Sequence, residues 1–492
     1  MPMNLAQLVH ALPDARLLPG PGADRAPTID RVASRSSDAG PGAVFVCVPG
    51  VSADGHDFAR DAADHGVAAL VVERELPIDV PQVLVPDARL AIALAAAALA
   101  GNPAADVRMV GVTGTNGKTT SAYLLQAVLG AGPASAGLIS TVGVVVGGRP
   151  EPATHTTPDP VVLQGLIARM RDAGDWACAM EVSSHALVQR RVAGIPFAAA
   201  LFTNLTQDHL DYHQDMESYF QAKRLLFVRP PGDGPDPPGA ANVDDAYGAR
   251  LADERGLLGY GHAARAEVRP IAFTQTASGT WAQIATPRGP LELASRLRGD
   301  FNLLNLLGVV AVGELLGLPH AQVVEGIAGI AGVPGRLEPI EQGQDFQVLV
   351  DYAHTPDALA SVLQTVRGLA GDHRVIVVFG CGGDRDRGKR PLMGYIAVHL
   401  ADLAIVTSDN PRSEDPVTII DEIVVDARDG RGDLRIEPDR RAAIAEAVAA
   451  AQAGDVVLIA GKGHERGQEI AGRVLPFDDR DVARDVLREL AG

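Results

Sequence analysis

The stretch "GVTGTNGKTT", residues 111–120, constrains this chain more than any other. It follows the apolar run "VRMVGV" and precedes "TTSAYLLQAVLG", whose apolar residues recur at helical spacing. A strand therefore runs into a glycine-rich turn and out into a helix. Gly114 and Gly117 permit close backbone approach to an anion, Lys118 can reach β- and γ-phosphates, and the Thr119 hydroxyl can take Mg²⁺. A helix beginning near Lys118 points its positive end at the same place. The spacing is not that of the common phosphate loop, which needs Gly, four residues, then Gly-Lys-Ser/Thr. Counting back from Gly117 puts Val112 at the first glycine position. Even so, a mere turn does not account for Gly-Lys-Thr-Thr between a strand and a helix.

The rest of the chain narrows the class. Its 492 residues predict two to four domains at about 100–200 residues each. A net charge of −18 argues against a nucleic-acid partner, which needs a basic face. Cys47, Cys178 and Cys381 are far apart and form no CxxC pair, so neither a disulfide framework nor a zinc site is indicated. The N-terminus lacks a signal-peptide pattern, and "LAIALAAAALAG" is too short to span a bilayer. A cytoplasmic setting without membrane insertion is expected. Of 43 basic residues only Lys118, Lys223, Lys389 and Lys462 are lysine, and three of these lie in glycine-rich loops. Arginine serves wherever a generic charge suffices, so the retained lysines point to sites needing a compact or nucleophilic amine.

An α/β chain of three domains is expected, at 1–105, 106–333 and 334–492. The first holds the strand candidates "AVFVCVPG", "VAALVVE" and "PQVLVP" and the helix "ARLAIALAAAALAG". "GNPAAD" (101–106) reads as a linker, and "GVPGRLE" (332–338) as a second break. In the second block "WACAMEV" and "FAAALFT" are buried-strand candidates. "YFQAKRLLF" and "FNLLNLLGVVAVGELLGL" read as helices, and "RPPGDGPDPPGA" (229–240) as an exposed loop. The third block repeats one design: an apolar strand ending in a polar or glycine-rich loop. It does so in "FQVLVDYAHTPDAL", "RVIVVFGCGGDRDRGKR", "DLAIVTSDNPRSEDP" and "DVVLIAGKGHERGQE". Open α/β sheets bind ligands beyond the carboxyl ends of parallel strands, so these four ends suggest a binding face.

"GVTGTNGKTT" resembles the ATP loop of the Mur ligase family, whose phosphate loop departs from the strict spacing in this same way, and the three blocks follow the family's order. The resemblance implies a central P-loop NTPase-like parallel sheet and a C-terminal Rossmann-like domain. It implies ATP on Gly114, Thr115, Asn116, Gly117, Lys118, Thr119 and Thr120. Thr119, Glu181 of "MEVSSH", His209 of "DHLD" and Lys223 would serve Mg²⁺, with Lys223 carbamylated by CO₂ (N6-carboxylysine). A bare ammonium would repel the metal, whereas a carbamate accepts it. Lys118, Glu181, His209 and Lys223 are then the catalytic set. Asp351 and His354 would line the ATP side.

"HTTPD" and "SSHALVQRR" resemble segments with which one branch of the family grips UDP-MurNAc-L-Ala-D-Glu, which maps Thr156, Thr157, Ser183, Gln189 and Arg191 onto that substrate. "SRSSDAGPGAVFVCVPG" resembles the uridine segment, with Ser36 kept but the following arginine out of register. "DNPR" (409–412) resembles the signature of members that add meso-diaminopimelate. Arg412 offers a planar fork to the distal carboxylate. Arg385, Asp409, Asn410, Pro411, Gly461 and Glu465 would complete that site. The implied reaction is ATP-dependent amide formation through an acyl phosphate, by a monomer. Rival readings are a lysine-adding or folylpolyglutamate synthetase-like ligase and, from another class, a P-loop regulatory or precursor-binding protein. Segments 101–106 and 331–336 are expected to act as hinges.

Overall fold

The computed structural model describes residues 2–18, 27–50, 53–132, 134–153, 155–276, 278–427 and 430–491. The chain divides into two compact units. One comprises 1–113, 129–201 and 221–239, and the other 114–128, 202–220 and 240–492.

In the first unit a five-stranded sheet orders Arg16–Leu17, Gln82–Leu84, Ala69–Val72, Ala43–Val46 and Arg31–Ala33, parallel except for the first. Helix Ala88–Leu99, capped by the Asp87 side chain on the Leu90 amide, covers it. The helix buries alanines on nearly every side because it also packs on helix Pro160–Ala173. A second sheet has a parallel heart in which Arg108–Thr113 and Ala136–Ile139 flank Ala177–Glu181. Hairpin strands Val144–Val146 and Arg149–Glu151 extend it antiparallel. The register pairs Glu181 with Val112, so the Glu181 carboxylate sits at the strand end expected of it.

Two composition-based readings need correction. Segment 101–106 is no free tether: Pro103 and Ala104 are buried in a 3₁₀ turn, and Asn102 takes a left-handed backbone. Loop 229–240 is not wholly exposed. Arg229 and Asp233 turn inward, and Arg229 Nη2 donates to the Val192 carbonyl.

The second unit carries the phosphate-loop helix Lys118–Gly130 through Val128, the parallel pair Gly239–Asn242 and Leu258–Tyr260, a three-stranded antiparallel sheet over 269–295, and helix Asp300–Leu316. Its last sheet orders Glu338–Pro339, Gln347–Asp351, Val456–Ala460, Val375–Phe379, Leu403–Val406 and Asp433–Ile436. All but the first pairing are parallel. Val375–Phe379 and Val456–Ala460 are buried throughout, as both faces carry helices. Each such Val or Ile contributes about 1.5–3 kcal/mol by burial. Asp351 pairs with Ala460, and Phe379 with Val406, so the four expected strand ends emerge level on one edge.

Beneath that edge Arg440 and Asp479, both fully buried, form a two-pronged ion pair at 2.7 and 2.8 Å. Arg440 also donates to the carbonyls of Ala460 and Ser408, which tethers two strand ends. Removing one partner leaves an uncompensated buried charge. Asp479→Asn is expected to destabilise this domain by about 3–5 kcal/mol in urea titrations. The double variant R440M/D479L should recover most of that loss, and an unchanged midpoint in D479N would refute the role.

Candidate active site

The backbone of the loop after Thr113 is set by its two glycines. Gly114 has φ +147° and Gly117 φ +84°. A Cβ on Gly114 would lie 1.8 Å from Thr203 Oγ1, and one on Gly117 2.4 Å from Asn305 Oδ1. The loop is bonded to the segment that faces it. The Thr115 amide donates to the Asn204 carbonyl and the Asn116 amide to Asn204 Oδ1, both at 2.9 Å, and Thr203 Oγ1 donates to the Asn116 carbonyl at 2.6 Å. Asn116 Nδ2 reaches Asp357 at 3.1 Å. Lys118 Nζ donates to the Gly114 and Thr115 carbonyls, and Thr119 Oγ1 accepts from Arg336 Nη2 at 2.9 Å. Thr119 and Thr120 are buried. Arg336, in the segment read as a second break, also lies over the Tyr352 ring.

Asp351 is buried and accepts from the Leu337 and Ala353 amides; burial raises its carboxyl above the usual range, against Arg336 and those amides. The His354 carbonyl accepts from buried Lys389, and burial, with the Lys389 charge, pushes the His354 imidazole down. Asp208 is buried, which alone would raise its carboxyl. The charges of His209, His354, Lys389 and Lys118 more than offset this and hold it at about 2. His209, in a left-handed conformation, places Nε2 3.3 Å from Asp208 Oδ2 and its ring edge-on to Tyr219.

In the first unit the residues drawn from three separate motifs converge. Glu181 is buried and accepts from the Thr141 amide at 2.9 Å and the Thr141 hydroxyl at 3.3 Å. Thr141 Oγ1 also meets Thr156 Oγ1 at 3.0 Å. Thr157 Oγ1 donates to the Glu181 carbonyl and accepts from the Ser183 amide. Ser183 caps helix Ser184–Val188. Arg191 donates to the Thr157 carbonyl and to Gln189 Oε1. Ser36 stands apart from this network, in the 3₁₀ turn Ser36–Asp38. Lys223 lies in the last turn of helix Met216–Arg224 with its side chain buried. Thr141 carried no motif and was not anticipated.

At the C-terminal sheet edge Asn410 Nδ2 donates to Glu465 Oε2 at 2.9 Å. Arg412, at φ +53°, donates to the Gly383 carbonyl and faces Glu469 at 3.3 Å. Arg385, exposed, borders Gly382 together with Arg412. Asp409 is buried beside Gly461. The loops that carry "DNPR" and "GKGHE" are thus joined by the Asn410–Glu465 bond, and those of "DNPR" and "GGDRDRGKR" by the Arg412–Gly383 bond. Sequence reasoning marked Lys462 as a retained lysine without giving it a role and missed Arg390: Lys462 is buried under Asn410 and Glu465, and Arg390 is fully buried between Glu414 and Glu422. The scarcity of lysine was the available signal for Lys462.

Models of three Mur ligase segments match in order: the Mur ligase family catalytic domain at 28–115, the middle domain at 112–313 and the glutamate ligase domain at 335–463. The chain is 46% identical to the UDP-N-acetylmuramoyl-L-alanyl-D-glutamate–2,6-diaminopimelate ligase of Geobacillus thermodenitrificans, over 91% of this chain and 93% of that one. The chain belongs to the Mur ligase family. A relative of the same name from Bacillus licheniformis is 42% identical over 99% of this chain and all of that one. A solved ligase of that name superposes with TM-score 0.69 at 31% identity over the whole of both chains. The Mur ligase fold extends further: a Thermotoga maritima MurF solved with ADP has TM-score 0.61 at 19% identity, covering 94% of this chain and 96% of that one, a likeness of fold alone. As in the sequence reading, no helix among the described residues is long and apolar enough to cross a membrane. Among them, no cluster of three or more His, Cys, Asp or Glu side chains is poised for a metal.

The Arg390 cluster gives this Mur ligase an acid-labile element. Hydrogen bonds from Arg390 lower the Glu414 carboxyl to about 2, against its burial. A depressed carboxylate stabilises the fold above its ordinary pKa and loses that contribution as pH falls through the folded value. The stability that Glu414 contributes is expected to be full above about pH 4.5 and lost toward pH 2. Chemical denaturation across that window should show a shallower acid loss in Glu414→Gln than in the wild type; parallel slopes would refute it.

Proposed function

We propose that this Mur ligase joins meso-diaminopimelate to the D-glutamate of UDP-MurNAc-L-Ala-D-Glu, using ATP, in the cytoplasmic assembly of peptidoglycan precursor. The observation that supports the reading is that the loops bearing Arg412, Arg385 and Glu465 are bonded to one another at one sheet edge, and their chemistry complements a diamino diacid. A guanidinium fork suits the distal carboxylate, and a carboxylate suits the ammonium beside it. Residues 1–105, 106–333 and 334–492 are taken as the three domains of a monomer.

The roles follow from the donors present. Thr156, Thr157, Ser183, Gln189 and Arg191 receive the sugar-dipeptide, with Ser36 toward the uridine. Gly114 to Thr120 cradle the triphosphate. Lys118 exchanges its two loop carbonyls for phosphate oxygens, a trade between neutral and charged acceptors that favours phosphate. Thr119, Glu181, His209 and Lys223, the last as its carbamate, are the residues that would hold Mg²⁺, an ion that prefers hydroxyl and carboxylate oxygens. When bound it offsets charge on the transferring phosphoryl group. An oxygen of the D-Glu γ-carboxylate attacks the γ-phosphorus, and the bond to the ADP oxygen breaks. The acyl phosphate is then attacked at carbon by the diaminopimelate amine, which loses its proton as phosphate departs. Asp409, Asn410, Pro411, Arg412, Gly461, Glu465 and Arg385 hold that amino acid for attack.

Phosphate release with ATP, Mg²⁺ and UDP-MurNAc-L-Ala-D-Glu is the test. Release that depends on meso-diaminopimelate, with the tripeptide product seen by mass, is expected. Equal rates with L-lysine would sink the specificity, and no amine-dependent release would sink the ligase. A separate measurement addresses Lys223. With ¹³C-bicarbonate, a carbamate carbonyl resonance is expected in the wild type and not in Lys223→Arg, and its absence from both would remove the carbamate from the reading.

A further inference from the structure

Lys462 is completely buried at the C-terminal sheet edge, a costly place for an ammonium. Its Nζ donates to Asn410 Oδ1 at 3.0 Å and to Glu465 Oε2 at 3.1 Å, and lies 3.7 Å from Asp409 Oδ1. The Glu469 amide donates to the same Asn410 Oδ1 at 3.0 Å. Two donors on one oxygen fix which way the Asn410 amide faces, so its Nδ2 must point to Glu465. Glu465 receives both of its recorded side-chain bonds on Oε2, while the carboxylate stays about one-third exposed. Neither bond uses Oε1, which leaves that oxygen for a substrate ammonium. Asp409 Oδ1 is buried with no hydrogen-bond partner, and the Lys462 charge, with that of Arg440, compensates it.

We infer that Lys462 is a positioning residue that sets amino-acid selectivity by locking Asn410 and Glu465 in one arrangement. Completely buried, it acts through the two side chains proposed to meet the amino acid. The inference rests on the proposed diaminopimelate site and deepens it. Without the ammonium, Asn410 loses one of the two donors that orient its amide, and Glu465 loses the bond that directs its open oxygen. The end of the substrate that distinguishes diaminopimelate from lysine is then read by a mobile pair. Among the described residues the Lys462 ammonium donates only to Asn410 and Glu465, so the KM values for ATP and dipeptide are expected to hold.

The experiment uses the full chain with K462M, K462R and K462Q, following amine-dependent phosphate release and thermal unfolding. In K462M the KM for meso-diaminopimelate is expected to rise about 10- to 100-fold, the range seen when a supporting partner of a site is removed. The kcat should stay within about threefold, the KM values for ATP and dipeptide should hold, and the preference for diaminopimelate over lysine should fall (by roughly the loss in affinity). K462R keeps the charge but not the compact shape, and should recover only part of the affinity. Should K462M fail to fold, K462Q, which retains a donor for Asn410 Oδ1, gives the same split at smaller size. An unchanged diaminopimelate KM in any folded variant overturns the inference, as does a rise in all three KM values together. A wild type without amine-dependent release defeats the function reading instead, and the two failures are thus distinguishable.

Discussion

The glycine-rich loop after Thr113 depends on the close contact between its backbone and the segment after Phe202. Thr203 Oγ1 stands where a side chain on Gly114 would begin, and Asn305 does the same at Gly117. Only backbone can occupy that space, and backbone amides are what a polyphosphate needs. Each hydrogen bond between Asn116 or Thr115 and Asn204 contributes about 0.5–1.5 kcal/mol net. Their collective effect is rigidity more than stability. The loop keeps one shape because Thr203 directly follows the buried strand Phe197–Phe202, so the loop inherits the precision of the core.

The C-terminal sheet solves a related problem by different means. Four strands end level, and their loops must hold polar side chains in fixed directions without regular structure of their own. Buried cations supply that order. Arg440 binds the carbonyls of two strand ends, Arg390 binds the Gly382 carbonyl and two glutamates, and Lys389 binds the His354 carbonyl. An isolated charge in such positions would cost several kcal/mol, so each one persists only while its partners stay in place. The cost of burying the cation is thereby converted into a penalty against displacing the loop. At this edge lysine appears where the space suits a single nitrogen, as at Lys462, and arginine where a wider set of acceptors must be spanned, as at Arg440 and Arg390.

The elements of this architecture were largely legible in the sequence, since continuous apolar runs such as "RVIVVF" and "DVVLIA" can scarcely be anything but strands buried on both faces. The motif residues of the candidate site were legible too, as they sit in the loops those strands must end in. What escaped were the supports. Arg440 lies 39 residues from Asp479 and has no local pattern, so nothing along the chain marks it as a buried pair. Thr141 was invisible for the same reason, its partners being 15 and 40 residues away. Segment 101–106 misled in the opposite direction. Asn and Pro signal a turn correctly, but composition does not say whether the turn packs, and here Pro103 and Ala104 do.

The network around Glu181 shows why such supports matter to any assignment of roles. Its carboxylate is held by the Thr141 amide and hydroxyl, Thr141 meets Thr156, and Thr157 bridges the Glu181 carbonyl to the Ser183 amide. Hydrogen bonds in a shared buried network polarise one another and fail together. A change at Thr157 therefore acts on the strand end that presents Glu181 as well as on any substrate atom Thr157 touches. Binding and positioning are not separable functions of these threonines: the same hydroxyls that would meet a sugar-peptide also complete the hydrogen bonding at the end of a buried strand.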